Sequence, residues 1–192
     1  MPDNLLKDDG GPATEVHALT ADMLEAWCES AGERVAAWVA ANGYKADAGK
    51  VLLVPGEDGT IRLVLLGLGR GEDAFASGAL PGAVPKGRYR LTTKGAVSEE
   101  LAALGLALGN YRYDRYKKNG VGKAEFLLPE SVDRDEVAAL AEATYLVRDL
   151  VNTPASDLGP EELEAVTREL ADAHGAEVSS IVGDDLLAAD YP

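Results

Sequence analysis

The stretch Val51-Leu52-Leu53-Val54-Pro55-Gly56-Glu57-Asp58-Gly59-Thr60-Ile61-Arg62-Leu63-Val64-Leu65-Leu66-Gly67-Leu68-Gly69 decides the class of fold. Two aliphatic runs flank Gly56-Glu57-Asp58-Gly59, whose residues favour a turn, so the pair reads as an antiparallel hairpin. Ile61 to Leu66 is apolar nearly throughout, the pattern of a strand covered on both faces. Covering both faces takes helices, and an α/β chain follows. Gly67-Leu68-Gly69, with Gly71 behind, turns the chain sharply.

Helices and further strands lie on both sides of this hairpin. Upstream, Met1 to Gly11 is polar and glycine-containing and reads as a mobile start, and Glu15 to Leu19 as a short strand. Thr20 is placed to cap a helix from Ala21 towards Ser30. After Gly32 a second helix carries Val35, Trp38 and Val39 on one face and stops at Asn42-Gly43. Downstream, residues 78 to 87 are rich in glycine and proline and read as a loop, followed by a strand from Arg88 to Thr93. Ser98, with Glu99 and Glu100 in the first turn, caps a helix with an apolar stripe of Leu101, Leu104, Leu108 and Tyr111. Gly105 and Gly109 lower helix propensity there, which points to a neighbour packed very close.

Lys123 to Leu128 is a strand that ends at Pro129. Asp133 and Glu136 open a long helix with a seam of Val137, Leu140, Ala141, Thr144, Val147 and Val151. Pro154 ends it, because the residue before proline is pushed out of helical space. Pro160, followed by Glu161 and Glu162, starts another helix carrying Leu163, Val166 and Leu170, which stops at His174-Gly175. Glu177 to Val182 reads as a strand, and Asp184 starts a last helical turn. That final strand has no partner in sight.

The 192 residues carry 33 acidic and 18 basic side chains, a formal charge of −15. Nucleic acids and anionic lipid surfaces need a cationic patch, so neither is expected as a partner. Tyr111-Arg112-Tyr113-Asp114-Arg115-Tyr116-Lys117-Lys118 interleaves aromatic and basic residues, but against that net charge it reads as packing or a subunit contact. The single cysteine, Cys28, excludes an internal disulfide and reads as a small apolar filler. No signal peptide and no apolar run of roughly 20 residues is present, so a cytoplasmic protein is expected.

Catalytic motifs are missing. A zinc or two-metal site needs several converging ligands, and the two histidines, His17 and His174, are far apart with no ligand pair at metal-site spacing. No serine occupies a Gly-x-Ser-x-Gly elbow. Gly67-Leu68-Gly69-Arg70-Gly71 fits neither the dinucleotide nor the P-loop spacing and reads as a turn. Val121-Gly122-Lys123 resembles a phosphate or metal lysine loop, but Ala124-Glu125-Phe126 goes straight into a strand behind it, so it reads as a plain connection.

One segment carries a family resemblance. Arg148-Asp149-Leu150-Val151-Asn152-Thr153-Pro154-Ala155-Ser156-Asp157-Leu158-Gly159-Pro160-Glu161-Glu162-Leu163 resembles the junction between the N-terminal and catalytic domains of leucyl (cytosol) aminopeptidases. The later His174-Gly175-Ala176 and Gly183-Asp184-Asp185-Leu186-Leu187 are similar to that family too, as is the helix leading into Tyr111 to Tyr116. The resemblance covers the chain from about Val51 onward. It implies a macro-domain-like N-terminal domain, a central mixed sheet flanked by helices, over residues 1–132. A linking helix over 133–151 and the first helix and strand of a catalytic α/β domain over 152–192 would come next.

Members of this family release N-terminal residues from peptides with two divalent metal ions, manganese or zinc, and many form hexamers. Their metal ligands and catalytic lysine and arginine lie beyond the junction. The resemblance therefore implies no catalytic and no metal residue in this chain, which alone is expected to be inactive and to bind no cofactor. Arg148, Asp149, Asn152, Thr153, Pro154 and Asp157 are its interdomain motif. In the intact enzyme the domain would shape access to the active site and support homo-oligomer assembly. The alternative is a free-standing macro-like module binding a nucleotide or ADP-ribose, with the glycines at 67 to 71 as its support.

Overall fold

A computed structural model describes residues 4–117 and 124–191. The chain divides into two compact units, Met1–Val147 and Arg148–Pro192.

The first unit is built on a mixed sheet. Its strands are β1 (Leu5–Lys7), β2 (Thr14–Leu19), β3 (Val51–Pro55), β4 (Ile61–Gly67), β5 (Gly87–Thr92) and β6 (Ala124–Leu128). They lie in the order β1-β6-β5-β2-β4-β3, and every pairing is parallel except the β3–β4 hairpin. The helices are α1 (Leu24–Ala31), α2 (Glu33–Ala41), α3 (Leu80–Ala83), α4 (Glu99–Asn110) and α5 (Arg134–Asn152), the last crossing into the second unit.

Side chains alternate along the strands, and β2, β3 and β4 feed two cores, one on each face. Val16, Ala18, Val64, Leu66, Tyr89, Phe126 and Leu128 join Leu80, Leu106, Ala107, Val137 and Ala141 from α3, α4 and α5. On the opposite face Leu19, Leu63 and Leu65 meet Trp27, Val35 and Val39 from α1 and α2. β4 is covered on both sides, with Val64, Leu65 and Leu66 fully buried, as its unbroken apolar run requires. At about 1.5–3 kcal/mol for each such side chain, these cores dominate the stability of the unit.

The glycines of α4 behave as expected. A Cβ on Gly109 would stand 2.0 Å from the Gly78 carbonyl oxygen, and one on Gly105 would stand 2.2 Å from Ser77 Oγ. The close neighbour is a 3-10 turn at Ala76–Ala79 running into α3, anchored by Ser77 Oγ donating to Ala102 O at 2.7 Å.

Several expectations are corrected. The stretch 78–87 is not a plain loop, because that turn and α3 occupy most of it, with Pro81 in the first helical turn where its missing N–H costs nothing. The start is not mobile over 5–7. β1 pairs with β6, Phe126 N donates to Asn4 O, and Asp8 N donates to Leu128 O. Arg90 then clamps the chain beyond β1, with Nε on Asp8 Oδ2 at 2.6 Å, Nη2 on Asp8 Oδ1 at 2.9 Å and Nη1 on Glu15 Oε1 at 2.9 Å. Thr20 does not cap α1, which begins at Leu24 with Met23 in the cap position.

The α4 stripe is also corrected. The buried side is Ala102, Ala103, Gly105, Leu106 and Ala107, while Leu101 is exposed. Leu106 fills the core, while at Gly105 and Gly109 the neighbouring turn approaches too closely for any side chain. Along α5 only Val137 and Ala141 of the seam are buried; Leu140, Val147 and Val151 are exposed.

In the second unit α6 (Pro160–His174) and α7 (Asp185–Ala188) form as expected. Gly175, at φ 67°, ends α6 in the left-handed conformation. The strand expected at Glu177 to Val182 is absent. These residues are irregular, and Ile181 and Val182 are exposed, since a strand forms only where another supplies its hydrogen bonds. Lys118, Lys123 and the whole Val121-Gly122-Lys123 loop lie outside the described residues.

Candidate functional site

The junction segment is assembled locally. At the end of α5, Thr153 N donates to Asp149 O at 3.0 Å, and Thr153 Oγ1 donates to the same carbonyl at 2.7 Å. The hydroxyl thus adds a second hydrogen bond to a carbonyl that already accepts from the Thr153 N–H, fastening the last turn of the helix. Thr153 is buried, Arg148 and Asp157 are half-buried, and Asp149, Asn152 and Pro154 are exposed.

Beyond Pro154 the chain bends. Asp157 N donates to Pro154 O at 2.9 Å, and Ser156 Oγ donates to Asp157 Oδ1 at 3.1 Å. α6 starts where Gly159 N donates to Glu162 Oε2 at 2.8 Å, half of a capping box, with Pro160 in the first turn. All six motif residues therefore lie in one helix end and one bend. The turn bonds run through the Asp149 and Pro154 carbonyls, Thr153 and Asp157.

The other candidate sites resolve into structure. In the glycine loop Leu68 N donates to Leu19 O, Gly69 N to Ala46 O and Gly71 N to Leu68 O. Backbone donors already bonded to carbonyls cannot cradle a phosphate, and a Cβ on Gly67 would stand 2.1 Å from Asp47 O. This loop packs the chain against itself.

His17, on β2, packs tilted against Trp27 with 5.3 Å between ring centroids, and burial pulls its pKa below the usual imidazole range, helped by nearby Lys94. His174 closes α6. Burial pushes the Cys28 thiol up, away from the thiolate a nucleophile needs. Tyr111 packs on Tyr145 at 5.2 Å between ring centroids, and Tyr145 Oη donates to Ala107 O, tying α5 to α4. Tyr113 meets Tyr116 edge-on, and Arg115 lies over the Tyr116 ring at 5.8 Å. Among the described residues, no group of three or more His, Cys, Asp or Glu side chains could hold a metal ion. None of their helices is long and apolar enough to cross a membrane.

Sequence reasoning does not find the Arg90 clamp. Its only signal is the Arg88-Tyr89-Arg90 alternation in a strand, set against Asp8-Asp9 near the start. Arg88 Nη2 meets Asp9 Oδ2 at 2.9 Å beside the Arg90–Asp8 pair. Nothing in either stretch by itself says that they meet.

Comparison with known proteins adds to this geometry. A probable cytosol aminopeptidase of Streptomyces coelicolor is 29% identical over 96% of this chain and 43% of its own length. One from Corynebacterium efficiens is 29% identical over 77% of this chain and 32% of its own. The chain thus spans less than half the length of these relatives. Among solved structures, the cytosol aminopeptidase of Coxiella burnetii superposes with a TM-score of 0.85 at 30% identity, over 97% of this chain and 41% of that one. The bottromycin maturation enzyme BotP in complex with Mn gives 0.68 at 28% identity, over 93% and 40%. A tomato leucine aminopeptidase mutant, at 14% identity and a TM-score of 0.71, shares the fold.

The nucleotide-module reading finds no support in these relatives or in the glycine loop. The family model of the M17 aminopeptidase N-terminal domain matches residues 14–129, which takes in the sheet from β2 to β6, and the chain belongs to that family as its N-terminal domain.

Proposed function

We propose that the whole protein releases N-terminal amino acids from peptides with the help of two divalent metal ions, manganese or zinc, and that these 192 residues supply no reacting group. The observation that carries this reading is the likeness to the Coxiella burnetii cytosol aminopeptidase over 97% of this chain but only 41% of that enzyme. BotP, which has been solved with Mn, supports a divalent metal in the family. The described side chains do not fit such a centre, so no step of the chemistry is assigned to them.

In this reading residues 1–132 form the accessory domain, 133–151 the linking helix, and 152–192 the opening of the catalytic domain. The exposure of Leu163, Leu170, Ile181, Val182 and Leu187 supports the last assignment, because apolar residues at this density are ordinarily covered by further chain. Arg148, Asp149, Asn152, Thr153, Pro154 and Asp157 fix the angle at which the chain leaves the linking helix. The domain shapes access to the active site and supports a homo-oligomer, hexameric by family resemblance, in the cytoplasm.

The test compares the product of the complete reading frame with this 192-residue chain, both with added manganese, on leucine p-nitroanilide. Turnover by the complete product and none by the chain is expected. Turnover by the purified chain, or none by a complete product that folds, overturns the proposal.

A further inference from the structure

We draw no further inference here: the strongest candidate, the exposed apolar stripe of Leu140, Val147 and Val151 along α5, has nothing in the structure to show what covers it.

Discussion

At position 109 two tendencies oppose each other. Alanine in place of a helical glycine gains at most about 1 kcal/mol in helix propensity, and less here because Gly109 is the next-to-last residue of α4. The added Cβ, however, would stand 2.0 Å from the carbonyl oxygen of Gly78, a backbone atom that cannot rotate away. Overpacking of this kind costs about 1–3 kcal/mol, so Gly109→Ala is expected to destabilise the chain. Gly82→Ala is the control, because its Cβ would meet nothing within 4 Å and its φ is ordinary. Urea midpoints check this: a drop for Gly109→Ala, and no change or a small rise for Gly82→Ala. An unchanged midpoint at 109 would mean that the turn at 76–79 is free to retreat.

Asp8 gives a second prediction at this scale. The hydrogen bonds from Arg90 hold its carboxyl down at about 2, against an ordinary value of 3.8. A depressed folded-state pKa stabilises above the unfolded value, and that stability is lost as pH falls through the folded one. The contribution of Asp8 is therefore whole above about pH 4 and fades between about pH 4 and 2. Asp8→Asn should flatten the acid limb of a stability-against-pH profile in that window, and an unaltered slope would remove Asp8 from the clamp.

Among the elements, β3 is exposed to the most hazard, because it is the outer strand of the hairpin and an open edge invites pairing with another chain. Two features close it. Trp38 Nε1 donates to Leu53 O at 3.0 Å, and Pro55 has no N–H to offer. Trp38→Phe keeps an aromatic ring and removes the donor, so it should cost about 0.5–1.5 kcal/mol, the net value of one hydrogen bond. Trp38→Ala also uncovers the edge and should self-associate with rising concentration, as sedimentation velocity would show. A monodisperse Trp38→Ala monomer at high concentration would mean that Pro55 suffices.

How much of the fold is legible in the sequence depends on how local each element's cause is. The β3–β4 hairpin carries its turn and both apolar runs within about 17 consecutive residues, and it forms as read. The close contact at Gly105 and Gly109 is legible because a helix tolerates two such glycines only for a reason. β1 is not, since its three residues gain order from β6 and Arg90, both distant in the chain. α3 hides in a composition that reads as loop, although Leu80-Pro81 has the signature of a helix start. Residues 177–182 show the reverse failure: the local pattern favours a strand, but the pairing that makes one is a property of the sheet. The junction motif is legible through its turn chemistry, with Pro154 and Pro160 where helices end and begin. Its role between domains is not, because an angle has meaning only relative to the body it leads into.

At the scale of the whole molecule the two units differ in how they are held. Met1–Val147 carries the two cores on either side of its sheet. In Arg148–Pro192 the only buried residues among those described are Thr153 and Ala171, and neither is large. α6 has 15 residues, and a helix of that length without a packed face is marginal in water. Its Pro160 start, Glu162 bond and Gly175 stop contribute about 1 kcal/mol each at most, too little to replace a core. The unit is therefore expected to open locally far more often than the sheet does. Hydrogen exchange measures this directly. Amides of α6 should exchange within minutes at neutral pH, while those of β4 persist near the global unfolding limit. In the product of the complete reading frame the α6 amides should become protected if residues 152–192 belong to a larger fold. Protection of α6 equal to that of β4 in the 192-residue chain would show that Arg148–Pro192 is stable as it stands, and would undo its assignment as the opening of a second domain.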